Sequence, residues 1–214
     1  MATTDPNFSD RVFSMIETAG QAALDAPDPE AAIRALVCGC VETLGDQQAH
    51  LRPGALLPGE RHYQVGGTFF VTPDKQHHML VGNVGFPPEQ ERLMVPIDGG
   101  HPGQVYATRA KKILKNTDDH QTFRQYLKSS RMGSTIFAPF IWNGEFIGQI
   151  LIAAQARHTM RDEDLQALVA VARIACAVWV AKGGPQWLQA AYPPANAFYV
   201  GTEGLNAERN PSAG

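Results

Sequence analysis

The residues best suited to chemistry in this sequence fall in one run, "GGHPGQVYATRAKKILKNTDD" (99–119). Gly99 and Gly100 permit close approach to the backbone, and the free N–H groups that open the following helix favour an anionic group. His101 stands at the mouth of that helix, with Tyr106 about one turn further on, so both can face one cavity. The same residues also read as a glycine turn followed by a polar cap. At the end of the run, Asp118, Asp119 and His120 place carboxylates beside an imidazole, a pairing able to move protons near neutral pH. Their other reading is structural, with Asp119 capping a helix that starts near residue 121.

The remaining reactive side chains are scattered. His77 and His78 are adjacent on a strand and point to opposite faces, so they do not share one metal ion. His50, His62 and His158 have no companions at ligand spacing, and no metal site is expected. A haem needs one axial histidine, which leaves haem open and the cofactor unknown. Cys38 and Cys40 stand two apart on a helix, about 200° around its axis, so their thiols do not face each other; Cys40 and Cys176 read as small core residues. No recognisable catalytic motif is present, and catalytic residues stay unassigned.

The bulk numbers set the frame. With 214 residues, 44% of them hydrophobic, the chain can bury one core. A net charge of -3 gives no basic footprint for nucleic acid and no polybasic segment for a membrane. The start "MATTDPNFSDRVF" lacks the pattern of a secretory signal, and no apolar run is expected to reach the roughly 18 residues of a membrane span. Three cysteines without framework spacing fit a reducing compartment. The expectation is a cytoplasmic, soluble protein.

The elements that must position these residues follow from periodicity. Residues 9–26 form a helix capped by Ser9 or Asp10, and 29–45 a second, with Ile33, Leu36, Val37, Cys40 and Val41 as its stripe. Segments 62–72 and 77–84 make a hairpin, followed by a short strand at 92–96. "HPGQVYATR" is helical, "KKILKN" a short or edge strand, and "HQTFRQYLKSS" a helix with Phe123, Tyr126 and Leu127 on one face. "STIFAPFIWNGEFIGQILIAAQ" is two strands around Asn143-Gly144, the dipeptide that a type I′ turn favours. A long helix follows, capped by Thr159 and acidic in its first turn. That helix is apolar almost all round, so besides the sheet it needs a second cover: the N-terminal helix or a two-fold partner. The chain thus divides into an N-terminal helical segment (1–27), a domain (28–182) and a Gly/Pro-rich tail (183–214) whose aromatic residues allow it to strap onto a partner or its own domain. The order predicts an α+β fold: a mainly antiparallel sheet, the terminal helices on one face, and short helices and loops enclosing a pocket on the other.

That order, with three of its segments, resembles the GAF domain family over residues 28 to 182. "STIFAPFIWNGEFIGQILIAA" looks like the family's final hairpin, "RDEDLQALVAVARIACAV" like its closing helix, and the run 99–119 like its pocket helix, short strand and aspartate. The resemblance implies a PAS-like sandwich enclosing a small ligand, regulation of an output domain and dimerisation through terminal helices. The sequence departs from the family pattern in several places. No cysteine lies between residues 41 and 175, where the free methionine sulfoxide reductases carry catalytic cysteines and phytochromes their bilin attachment. The NKxxFD-like motif of cyclic-nucleotide binders is missing, and no output domain is recognisable.

On the first hairpin Phe69, Val71, Met79, Val81 and Asn83 alternate, one set toward the terminal helices and the other toward a cavity. Alternation leaves open which set is which; the candidate ligand-binding residues are Phe69, Asn83, His101, Tyr106, Asp118, Phe123, Met132 and Phe137. They suit a small ligand with an aromatic or anionic group. The expected function is a stand-alone GAF-type sensor or accessory protein, a homodimer acting through a separate output protein. The alternatives are a small enzyme using His101, Tyr106, Asp118 or His120 as acid–base groups, and a structural dimerisation subunit.

Overall fold

Asn143 and Gly144 take left-handed φ values of 49° and 81°, as the hairpin reading requires, and join β5 (Ser134–Trp142) to β6 (Glu145–Ala154). The computed structural model describes residues 6–200. Helices α1 (Phe8–Asp25) and α2 (Pro29–Thr43) come first, and Asp28 caps α2 by accepting the Ala31 N–H at 2.8 Å. Strands β1 (Gln64–Val71), β2 (His77–Val84) and β3 (Arg92–Pro96) follow, then α3 (Gly100–Thr108) and β4 (Lys112–Leu114). After the β5–β6 hairpin come α4 (Asp162–Ala181), α5 (Gly184–Ala191) and β7 (Ala197–Tyr199).

The strands form one sheet in the order β4-β5-β6-β1-β2-β3-β7, antiparallel except for the parallel pairing of β3 with β7. Alternation along the strands separates two cores. Phe70, Met79, Val81, Ile136, Ile150 and Ile152 face the helices, while Phe69, Leu80, Phe137, Leu151 and Ala153 face the other way. On the helical side α2 and α4 lie against the sheet, α1 packs on α2, and the Trp179 ring stacks on Phe70 with centroids 3.9 Å apart. The second cover that α4 needs comes from α2, with α1 and α5 at its margins. By length and composition α4 could also cross a membrane, but half of its most apolar stretch is buried within this core.

Several local expectations fail for identifiable reasons. No helix forms over 121–131. Gln125 instead donates to the Leu127 and Ser130 carbonyls and accepts the Met132 N–H, so side-chain bonds replace the helical ladder. Asp119 consequently has no helix to cap. Thr159 does not cap α4, because its hydroxyl donates to the Ala156 carbonyl; Arg161 is the cap residue, and Asp164 accepts its N–H at 2.8 Å. Neither Ser9 nor Asp10 caps α1, which begins after Asn7.

The segment read as a tail is ordered over much of its described part. Gly183 turns the chain at φ 74° and Pro185 sits in the first turn of α5. There is no room for a side chain at Gly184, where a Cβ would lie 2.1 Å from the Trp179 ring. Strand β7 then lengthens the sheet beside β3, and Phe198 packs on the cavity-side core. The sequence shows neither element, because their apolar residues are few and Gly/Pro-rich stretches separate them. Residues 201–214 of that segment lie outside the described residues.

Candidate functional site

The cavity-side core does not close completely. Between the sheet, α3 and the 121–132 segment lies an apolar cavity of about 70 Å³, several times what one water molecule requires. Its floor is Val65, Phe69, Leu93, Thr135, Phe137, Leu151 and Ala153 from four strands, β1, β3, β5 and β6. Its wall is His101 and Pro102 of α3, and its cover is Phe123 through Leu127 with Met132. The cover is pinned by a fully buried side chain from outside it. Gln90 donates from Nε2 to the Tyr126 carbonyl at 2.7 Å and accepts the Lys128 N–H at 2.8 Å, standing in for a backbone partner.

Of the eight residues singled out from sequence, five meet here: Phe69, His101, Phe123, Met132 and Phe137. The other three do not line the cavity. Tyr106 packs edge-on against His78 and Phe146, with ring centroids 5.7 and 5.2 Å away. Asn83 lies within an irregularity in the β1–β2 pairing, and its side chain donates to the Glu91 carbonyl at 3.4 Å. Asp118 holds Arg131 at 2.6 Å and Arg157 at 2.9 Å, and these guanidiniums keep its carboxyl below the usual carboxylate range. Arg157 is nearly fully buried and also pairs with Glu60, so Asp118 ties three segments together instead of facing a ligand.

The glycines at the start of α3 serve the fold. Gly100 has φ 52°, and a Cβ there would lie 2.6 Å from the Tyr126 hydroxyl. At Gly103 a Cβ would lie 2.2 Å from the Asp98 backbone. The space expected for an anionic group at the helix start is thus filled by the Tyr126 ring of the cover. Gly99 instead closes a turn by donating its N–H to the Pro96 carbonyl at 2.8 Å.

His101 is the cavity residue with a buried polar atom that lacks a partner. It is 3% exposed, with Phe123, Phe137 and His120 rings around it at 5.9, 6.4 and 6.1 Å. Its Nδ1 lies 3.0 Å from Gln104 Oε1, an oxygen that also accepts from the Lys112 ammonium. Since Oε1 must accept, Nδ1 carries the proton, and Nε2 is left as a bare acceptor, buried and without a partner. Burial pushes the His101 pKa down, and the Lys112 and His120 charges add to this against the Gln104 bond. The ring is therefore neutral at pH 7. Of the other polar cavity residues, Thr135 donates to the Ile152 carbonyl, and both ends of the Gln125 amide are engaged. Arg124 is exposed, at the rim.

Sequence reasoning missed Thr135, Leu151 and Ala153, which share the cavity-facing parity of Phe137 along β5 and β6, and Gln90 and Gln104, which carry no sequence signal. The structure also brings His50 and His62 together, with ring centroids 4.2 Å apart, across a stretch where spacing suggested no pair. Among the described residues no group of three or more His, Cys, Asp or Glu side chains is placed to hold a metal ion.

No protein-family model and no curated protein matches this sequence. Solved structures do match. The GAF domain of a phosphoenolpyruvate-protein phosphotransferase from Coxiella burnetii superposes with a TM-score of 0.66 at 19% identity, covering 82% of this chain and 98% of that one. The corresponding Acinetobacter GAF domain gives 0.63 at 12% identity, covering 85% and 97%. This chain has the GAF-domain fold. The same GAF fold is shared by the free methionine-R-sulfoxide reductase of Neisseria meningitidis, solved in complex with its substrate, at a TM-score of 0.59, 19% identity and 82% and 94% coverage. In the present GAF fold all three cysteines sit on α2 and α4, across the sheet from the cavity, and burial pushes the Cys40 thiol up to about 12.

Proposed function

We propose that this protein is a GAF-type small-molecule-binding module, a sensor or accessory protein, that holds a largely apolar ligand in the cavity under residues 123–132. The observation that carries this reading is the unfilled apolar space beside a buried His101 whose Nε2 has no partner. A buried acceptor without a donor costs about 1–3 kcal/mol, and a ligand that supplies the donor recovers it. We further propose that the protein works in the cytoplasm, where its three unpaired cysteines stay reduced, and passes the ligand state to a separate output protein. Phe13 and Leu24, 69% and 63% exposed on one stripe of α1, support contact with a second copy or with that partner through the terminal helices.

The enzymatic alternative has less support. Of its four acid–base candidates only His101 lines the cavity; Tyr106 and Asp118 are engaged elsewhere, and His120 is exposed. The test is native mass spectrometry of freshly purified protein together with a thermal-shift screen of metabolites. A retained mass or a shift that His101→Ala removes is expected. No retained mass and no shift across the screen would refute the binding reading.

A further inference from the structure

We propose that the cavity selects a small neutral single-ring aromatic molecule bearing one hydrogen-bond donor, of the phenol class, with His101 Nε2 as the acceptor. This deepens the binding-module reading and rests on it. Three observations converge. At about 70 Å³ the space suits one small ring at most, not a fused ring system, a nucleotide or a tetrapyrrole. Its lining offers Phe69, Phe123 and Phe137, whose faces and edges favour another aromatic ring.

The third observation is the tautomer. The Lys112 ammonium fixes Gln104 Oε1 as an acceptor, Gln104 fixes the proton on Nδ1, and the only free valence His101 has is a lone pair. A carboxylate or phosphate brings more lone pairs and no donor, so it would meet this atom unfavourably in a space whose only charged lining residue among the described residues, Arg124, is out at the rim. A hydroxyl or ring N–H matches it. The site thus distinguishes phenol from toluene, which have nearly the same shape, by one hydrogen bond.

The experiment is calorimetry on the full chain with phenol, indole, toluene and benzoate, in the wild type and in His101→Phe. Phenol is expected to bind at least tenfold more tightly than toluene and than indole, which is too large for the space, with benzoate also weak. In His101→Phe the advantage of phenol over toluene should vanish while toluene binding persists. A second readout, independent of how that variant folds, is ¹⁵N NMR of wild-type histidines: His101 should be protonated at Nδ1, with the Nε2 resonance moving on phenol addition. Equal binding of phenol and toluene, preference for benzoate, or a proton on Nε2 would overturn the donor assignment and leave the cavity reading standing. If none of the four binds, the donor assignment fails; if Ala153→Leu then also melts no higher than wild type, the cavity itself is refuted.

Discussion

Ala153 projects from the central strand β6 into the cavity and is 3% exposed, which makes it the natural place to fill that space. A void weakens a protein by about 24 cal/mol for each Å³ left empty. For a cavity of about 70 Å³ this comes to about 1.7 kcal/mol. Ala153→Leu inserts branched hydrocarbon of about that size, and its methyl groups would meet Phe69, Phe137 and Leu151, all apolar. The variant is therefore expected to be more stable by about 1–2 kcal/mol, which for a domain of this size raises Tm by about 2–7 °C. Urea unfolding should show the midpoint moving up with an unchanged slope. The same substitution should abolish binding of any ligand the wild type takes, a gain of stability at the expense of function. A loss of stability of 1 kcal/mol or more would mean that the space is already filled in solution, since overpacking a closed core costs about that much. A stable variant that still binds ligand at wild-type strength would place the binding site elsewhere. Either result refutes the reasoning, and the two are told apart by one melt and one titration.

Other consequences concern the frame around the cavity. His78 is buried, and desolvation, helped by the charge of His77 and opposed by the Ile97 carbonyl, brings its pKa to about 4. The unfolded chain takes up that proton first, so stability is full above pH 6.5 and falls by about 3 kcal/mol as pH drops toward 4; His78→Gln should flatten this part of a urea-midpoint profile. Glu30 and Arg92 form a two-point pair at 2.7 and 2.8 Å, linking α2 to β3. Burial alone would raise the Glu30 pKa, but Arg92 and the Gly82 N–H bring it below its ordinary 4.5. Its contribution is thus present above that value and lost as pH falls through the lower folded value. Glu30→Gln, which leaves Arg92 unpaired, should cost about 3 kcal/mol at pH 7 by equilibrium unfolding. Gly184→Ala drives a methyl group into the Trp179 ring, which is 1% exposed and cannot retreat. It should destabilise by about 1–3 kcal/mol and expose residues 184–200 to limited proteolysis.

How much of this was legible in advance depends on the range of the forces involved. The Asn143-Gly144 turn is a two-residue backbone requirement, and strands β2 and β3 appear at the residues where alternation and flanking turns put them. The GAF-type order of elements followed, because it needs only the sequence of local preferences. The candidate site was legible in part: strand parity separates the two faces, the packed structure shows that Phe69 and Phe137 lie on the cavity face, and Tyr106 and Asp118 lie in the right segments but turn to other partners.

What the sequence determined by itself was the secondary structure with strong periodicity, the two faces of the sheet, and the segment containing His101. Only the tertiary structure decided that residues 121–131 become a cover instead of a helix, since the bonds that hold them come from Gln125 and from Gln90 across the chain. It alone fixed the proton of His101, through a glutamine oriented by a lysine eight residues further on. It also fastened residues 184–199 to the sheet edge, where a glycine meets a tryptophan ring. Local patterns are set by dihedral preferences and hydrophobic period; cavities, tautomers and straps depend on which distant atoms meet, and that is a property of the packed chain.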